Sequence, residues 1–305
     1  MKTLSAENFA RARDFVKAKA RPVDQALFAY TFERGNPESV WEALSEFANE
    51  DGGFGHGIEP DCRLPASSML GTITAFPYLL QTNAPADHPL VENGIRYLIT
   101  TYDHNLQGWR MLPPEANDHP RAMWWGYDPE KANEDVIDNW GNPSACAVAT
   151  LQRYSSLVPG GLLREVTAKA MAELAAKSDT LEGHVFLPFV ELAEALSSES
   201  SPPVWSTLNG IAPKAVVIDP AQWTGYGVRP LWAVTGPESP LMESLSEAVN
   251  AQLDFEIGQQ SADGSWHPFW NWGQYEKEWE SAKLEWQGLL TVRLLRSFKA
   301  FGRIG

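Results

Sequence analysis

The sequence predicts an all-α fold, and three observations carry that expectation. Apolar residues recur at helical spacing through almost the whole chain. Alternation with period two is nearly absent, the best strand candidate being the short "AVVIDP" from Ala215 to Pro220. An amphipathic helix also leads repeatedly through a glycine turn to a more apolar helix, and such pairs bury their apolar members only by stacking on neighbours. An inner ring of apolar helices within an outer ring of amphipathic ones meets that demand economically. About five to six such pairs fit the 305 residues, read as a single domain over 1–305.

Taken in order, Ala6 to Lys19 sets Phe9, Ala10, Phe15 and Val16 between charges at helical spacing. A second helix follows Pro22. A third opens at Pro37, where the missing N–H costs nothing, and runs through Val40, Trp41, Leu44 and Phe47. After the glycine run Asn49 to Gly57, "PASSMLGTITAFPYLLQ" (Pro65 to Gln81) contains no charge, so both its faces are expected to be covered. Leu90 to Thr101 is a helix of mixed character, followed by the turn "DHNLQGWRM" and a long Trp-rich loop. Asn142 to Tyr154 is again poor in charge. Leu162 to Lys177 is amphipathic, "EGHVFLPFVELAEAL" is a turn and an apolar segment, and Pro240 to Gly258 is amphipathic with acidic positions. "SAKLEWQGLLTVRLLRSF" closes the series. Turns are expected at Asp51, Asp103, Glu182 and Asp263, and "SSESSPPV" (Ser197 to Val204) is the one flexible-looking joint.

A formal charge of −15 argues against nucleic acid or an anionic membrane as partner, because the field of the protein repels both. No stretch reaches 18 apolar residues, so no membrane span is expected, and the N-terminal segment lacks the apolar core of a secretory signal. Two isolated cysteines, Cys62 and Cys146, offer neither a disulfide framework nor a CxxC knuckle, and a cytoplasmic location is the default. P-loop, dinucleotide, HExxH and EF-hand patterns do not occur, so no cofactor is expected. The outlier is tryptophan, at 13 residues, placed largely in loops and beside glycine turns. Aromatic rings usually build core, and their placement in loops raises the chance that some line a cavity.

"NEDGGFGHG" (Asn49 to Gly57) and "QQSADGSW" (Gln259 to Trp266), with "LQGWRM" (Leu106 to Met111) more loosely, carry a resemblance. They resemble the turns of the α/α toroids formed by protein prenyltransferase β subunits and squalene–hopene-type terpene cyclases. "LPASSMLGTITAF" and "EWQGLLTVRLL" look like inner helices of that superfamily. The resemblance implies an α/α toroid and an isoprenoid-type enzyme. Its catalytic signatures do not carry over. The slots of the prenyltransferase zinc ligands before Trp286-Gln287 read Glu280, Ser281, Ala282, without a thiolate. The places comparable to the cyclase Asp-x-Asp-Asp run read "RLPASS" (Arg63 to Ser68) and "NWGNPSA" (Asn139 to Ala145), without the acid cluster. His56, Asp61 and Cys62 lie close in sequence but lack a fourth ligand elsewhere, so no metal site is assigned.

Protonating an unactivated double bond needs a desolvated carboxyl, and the cation that forms needs aromatic faces in place of water. Acids near inner-helix starts are Glu59, Asp61, Asp138, Asp219, Glu280 and Glu285. Asp61 is the preferred proton donor, because "IEPDCRLP" is more elaborate than a helix cap requires, with Glu59 and Glu280 as further candidates. Any of these acids also suits an N-cap, and Arg63 suits an ion-pair partner for Asp61. His56, Trp109, Trp140, Trp223, Trp266, Trp270 and Trp286 are the candidate substrate-binding residues, and His56 and His267 occupy corresponding points of two repeats. The expected function is an enzyme of the cyclase, isomerase or hydratase kind acting on a small apolar, isoprenoid-like molecule. A carbohydrate-active α/α barrel, with two carboxylates across a glycosidic bond, and a ligand-binding toroid without catalysis are the alternatives. The sequence does not define an oligomeric state.

Overall fold

The computed structural model describes residues 1–177 and 181–305. Its helices are α1 (Ala6–Lys19), α2 (Pro22–Phe32), α3 (Pro37–Ser45), α4 (Met69–Gln81), α5 (Pro89–Thr100), α6 (Ala132–Asp138), α7 (Cys146–Arg153), α8 (Gly160–Lys177), α9 (Gly183–Ala195), α10 (Ser201–Ala215), α11 (Pro230–Ala233), α12 (Met242–Gly258) and α13 (Glu276–Ala300). Among the described residues the only β-type pairings are isolated bridges. The chain divides into two compact units. One comprises Met1–Ala43, Asn209–Asn271 and Glu276–Gly305, and the other Leu44–Leu208 with Trp272–Tyr275.

Several boundaries depart from expectation for local reasons. The apolar segment from Pro65 becomes helical only at Met69, because Ser68 is extended and its hydroxyl accepts the Gly71 N–H, capping α4. "AVVIDP" is not a strand. Ala215 ends α10, Val217 makes one hydrogen bond to the Val228 carbonyl, and the Asp219 carboxylate caps the turn Pro220–Gln222 by accepting the Ala221 N–H. The supposed joint at Ser197 is likewise cut short, since α10 begins at Ser201 and carries Pro202 and Pro203 in its first turn, where no N–H is needed. Pro143 opens Asn142 to Ala145 into a wide turn, so regular helix starts only at Cys146. Glu182 stands at the N-cap of α9 without a side-chain capping bond, so it does not repeat the aspartate turns.

The aspartate turns share one construction. Asp51 accepts the Gly53 N–H at 3.0 Å, and Asp263 accepts the Ser265 N–H at 3.0 Å. Gly52 and Gly264 follow with φ of 93° and 92°, a conformation that costs glycine little, and a Cβ at either would run into a neighbouring backbone carbonyl, of Asn93 or Arg11. The aromatic that comes next, Phe54 or Trp266, donates its backbone N–H to a threonine hydroxyl of the helix that follows, Thr72 at 3.2 Å or Thr291 at 3.1 Å. The looser third turn keeps the scheme with Trp109 donating to Ser144 Oγ at 3.2 Å. A hydroxyl of the segment that follows thus ties each turn down, Thr72 and Thr291 from within α4 and α13 and Ser144 from just ahead of α7. Thr291→Val keeps the shape and removes the acceptor, leaving a buried N–H unsatisfied. A loss of about 1–3 kcal/mol in unfolding free energy is expected from denaturant titration, and an unchanged midpoint would refute the tie.

In the first unit, α1 and α2 pack on α13 around Val16, Phe28 and Phe298, and the chain ends meet, with Leu4 N–H on the Arg303 carbonyl at 2.7 Å and Gly305 N–H on the Leu4 carbonyl at 2.9 Å. A buried Arg229–Glu256 pair at 3.0 Å shares Glu256 Oε1 with the Gln252 amide, while Gln252 Oε1 accepts the Leu231 N–H at 2.7 Å. Burial pulls the Arg229 guanidinium below its usual range, and the Glu256 charge works against that shift. In the second unit, α4 and α7 are nearly charge-free, and α7 packs on α9 with Phe186 and Phe189 fully buried.

Candidate functional site

The second unit contains the loop that links the Asn49 turn to α4. The loop is held along its length, because Asp61–Arg63 runs antiparallel to Pro120–Ala122. The Arg63 N–H donates to the Pro120 carbonyl at 2.9 Å, the Ala122 N–H to the Asp61 carbonyl at 2.8 Å, and Cys62 bridges Arg121. Glu59, Asp61 and Cys62 are all buried. Asp61 is only 3% exposed, and its Oδ1 accepts the indole N–H of fully buried Trp272 at 2.7 Å. Gln274, two residues on, donates its side-chain amide to the Arg121 carbonyl at 2.9 Å. The segment Trp272–Tyr275 therefore supports both strands of the pairing.

Burial pushes the Cys62 thiol up to about 11. The Leu64 N–H opposes that shift, the Glu59 charge adds to it, and the Arg121 and Arg63 charges oppose it. A thiol raised that far stays protonated at neutral pH. His56 is exposed in a left-handed conformation with φ of 54°, its Nε2 2.9 Å from Asn49 Oδ1, so it belongs to the turn. Asn49 also donates its amide to the Pro65 carbonyl at 3.1 Å, so His56 braces the turn through Asn49. Among the described residues, no three His, Cys, Asp or Glu side chains gather where they would hold a metal ion.

The other expected site residues separate into two groups. Glu280 does not meet the desolvation requirement, since its side chain is 71% exposed beside Lys283 at 4.0 Å. Trp109, Trp140, Trp223 and Trp266 are at most 3% exposed. Each donates its indole N–H to a backbone carbonyl at 2.7–2.8 Å, of Leu98, Gln107, Val217 and Glu256 respectively. With almost no ring surface open and each indole N–H tied to the backbone, these four act in the fold as packing anchors. Trp270 and Trp286 differ. Both are only partly buried and meet edge to face at 5.0 Å, with Phe269 against Trp270 at 4.9 Å and the Arg229 guanidinium 4.0 Å over Phe269. This half-open aromatic cluster belongs to the first unit. A separate depression of about 360 Å³ on the α7–α8 face of the second unit contains none of the candidate residues.

Sequence reasoning singled out Asp61 and missed what it is bonded to. Trp272 lies 211 positions away, and no local pattern pairs the two. Arg121 was missed as well, its only signal being an arginine in an irregular Trp-rich loop.

No family model matches the chain. An adenosine deaminase of Escherichia coli (strain SMS-3-5 / SECEC) is 33% identical over 101 residues, which is 30% of each protein, so the chain spans under a third of the length of the curated relative it matches. Among solved structures, a variant of the type II terpene cyclase MstE from Scytonema, in complex with its substrate geranylgeranyl dihydroxybenzoate, is similar over 97% of both chains, with a TM-score of 0.52 and 14% identity. The chain therefore has the all-helical α/α-toroid fold of terpene cyclases, as its glycine turns imply.

Proposed function

We propose that this chain is an acid-catalysed enzyme acting on an isoprenoid or similarly apolar molecule, with Asp61 as the proton donor. The observation that carries the reading is a carboxyl 3% exposed and fixed through one oxygen by the Trp272 indole at 2.7 Å. In this role Asp61 enters the reaction as the neutral carboxylic acid. Transfer of its proton to an alkene carbon forms the C–H bond, leaves the positive charge on the neighbouring carbon and the negative charge on Asp61. The same carboxylate recovers a proton when the rearranged cation loses one. Exclusion of water protects such a cation from premature capture.

Glycosidic chemistry needs two carboxyls facing a groove wide enough for a sugar and a water. A buried Asp61 and a solvent-borne Glu280 favour the isoprenoid reading over that one. The test is to incubate the protein with linear polyprenes and, separately, with β-linked oligosaccharides, and to follow products by mass. Conversion of a polyprene to an isomer of equal mass, or to its hydrate, is the expected result. Oligosaccharide cleavage with every polyprene untouched would overturn the reading.

A further inference from the structure

The loop that pairs with Asp61–Arg63 carries two buried N–H donors without a hydrogen-bond partner among the described residues. Arg121 directs Nη1 at the Asn117 and His119 carbonyls, both at 3.1 Å, while its Nε is buried without a hydrogen-bond partner. Among the described residues no carboxylate forms an ion pair with Arg121, although the chain has 39 acidic side chains against 24 basic ones. Four residues on, the ring of Trp125 packs against a cluster of Cys62, Leu64, Leu70, Leu112 and Ala116, and its indole N–H is likewise buried without a partner. Buried indoles normally find an acceptor, as Trp109, Trp140, Trp223, Trp266 and Trp272 all do here. Both donors lie on one loop beside the Asp61–Arg63 segment, since the Arg121 backbone is bridged to Cys62 and Trp125 packs on the cluster that contains Cys62.

We infer that Arg121 and Trp125 bind a carboxylate or phosphate oxygen of a ligand, the guanidinium supplying the charge and the indole a second N–H. An anion would satisfy both orphan donors and provide the counter-charge that no described residue gives Arg121. Next to these donors lie the apolar side chains of Leu64, Leu70, Leu112 and Met111. This inference rests on the proposed function only in making that ligand the substrate at Asp61, whose carbonyl is held by the same loop through Ala122.

The test is calorimetric titration of the full chain with benzoate and with inorganic phosphate, using benzamide as the uncharged control. At least one anion is expected to bind and benzamide to fail, and the stronger of the two identifies the acidic group. Trp125→Phe keeps the ring and removes the N–H, and Arg121→Gln removes the charge. Each should weaken anion binding about tenfold or more. If neither anion binds, water serves these donors and the inference falls. It falls equally if benzamide binds as well as benzoate, or if Trp125→Phe, folded by circular dichroism, binds as the wild type does. Asp61→Asn separates the two proposals, because it removes the acid and leaves both donors. Turnover retained in that variant with anion binding intact overturns the acid role alone, whereas turnover lost with no anion binding in the wild type overturns the anion site alone.

Discussion

Asp61→Asn is expected to lower turnover of a responsive polyprene by about 10²–10⁴-fold, the range supplied by a positioned general acid. Asparagine has the shape of aspartate and retains a carbonyl oxygen able to accept the Trp272 N–H, so the 2.7 Å bond can persist. What disappears is the transferable proton. The variant should therefore melt close to the wild type, bind substrate with a similar KM and lose kcat. Trp272→Phe makes the complementary perturbation, leaving the acid in place and removing the N–H that fixes Oδ1. Turnover of Asp61→Asn within a factor of about three of wild type would eliminate Asp61 as the donor, however well the variant folds.

The largest effect on stability is expected from Trp109→Ala. Removing a fully buried large aromatic costs about 3–5 kcal/mol, because the lost contacts and the cavity left behind add to each other. Here the loss includes the ring contact with Tyr102 at 4.8 Å and the indole bond to the Leu98 carbonyl at 2.8 Å near the end of α5. Denaturant titration should show that full loss for alanine and a smaller one for Trp109→Phe, which fills most of the space. A cavity-wall residue would behave differently, raising KM while leaving the unfolding midpoint almost unchanged. That second outcome would restore the substrate-binding role that burial argues against.

How far the sequence could be read depended on the distance over which each interaction acts. Glycines at Gly52 and Gly264 mark their turns openly, since only a residue without Cβ tolerates both that φ and the adjacent carbonyl. The hydroxyls of Thr72, Ser144 and Thr291, which complete those turns, look like ordinary helix residues in a linear reading. Asp61 stood out because "IEPDCRLP" exceeds what a cap needs, and the antiparallel pairing with Pro120–Ala122 explains the excess. The tryptophans were harder. A Trp beside a glycine turn has the same sequence signature whether its ring is sealed, as in Trp140, or half open, as in Trp270.

Helical period, charge-free inner segments and glycine punctuation were enough to establish an all-α chain of repeated helix pairs, because each of these signals arises within a few residues and survives without a partner. Burial and long-range bonding settled the rest. Whether a tryptophan anchors a turn or presents a face, whether Glu280 is desolvated, and that Trp272 meets Asp61 across 211 residues all depend on which segments become neighbours. Side chains that meet only after folding leave no periodic trace in the chain, since the free energy of their contact belongs to the pair and to neither local sequence.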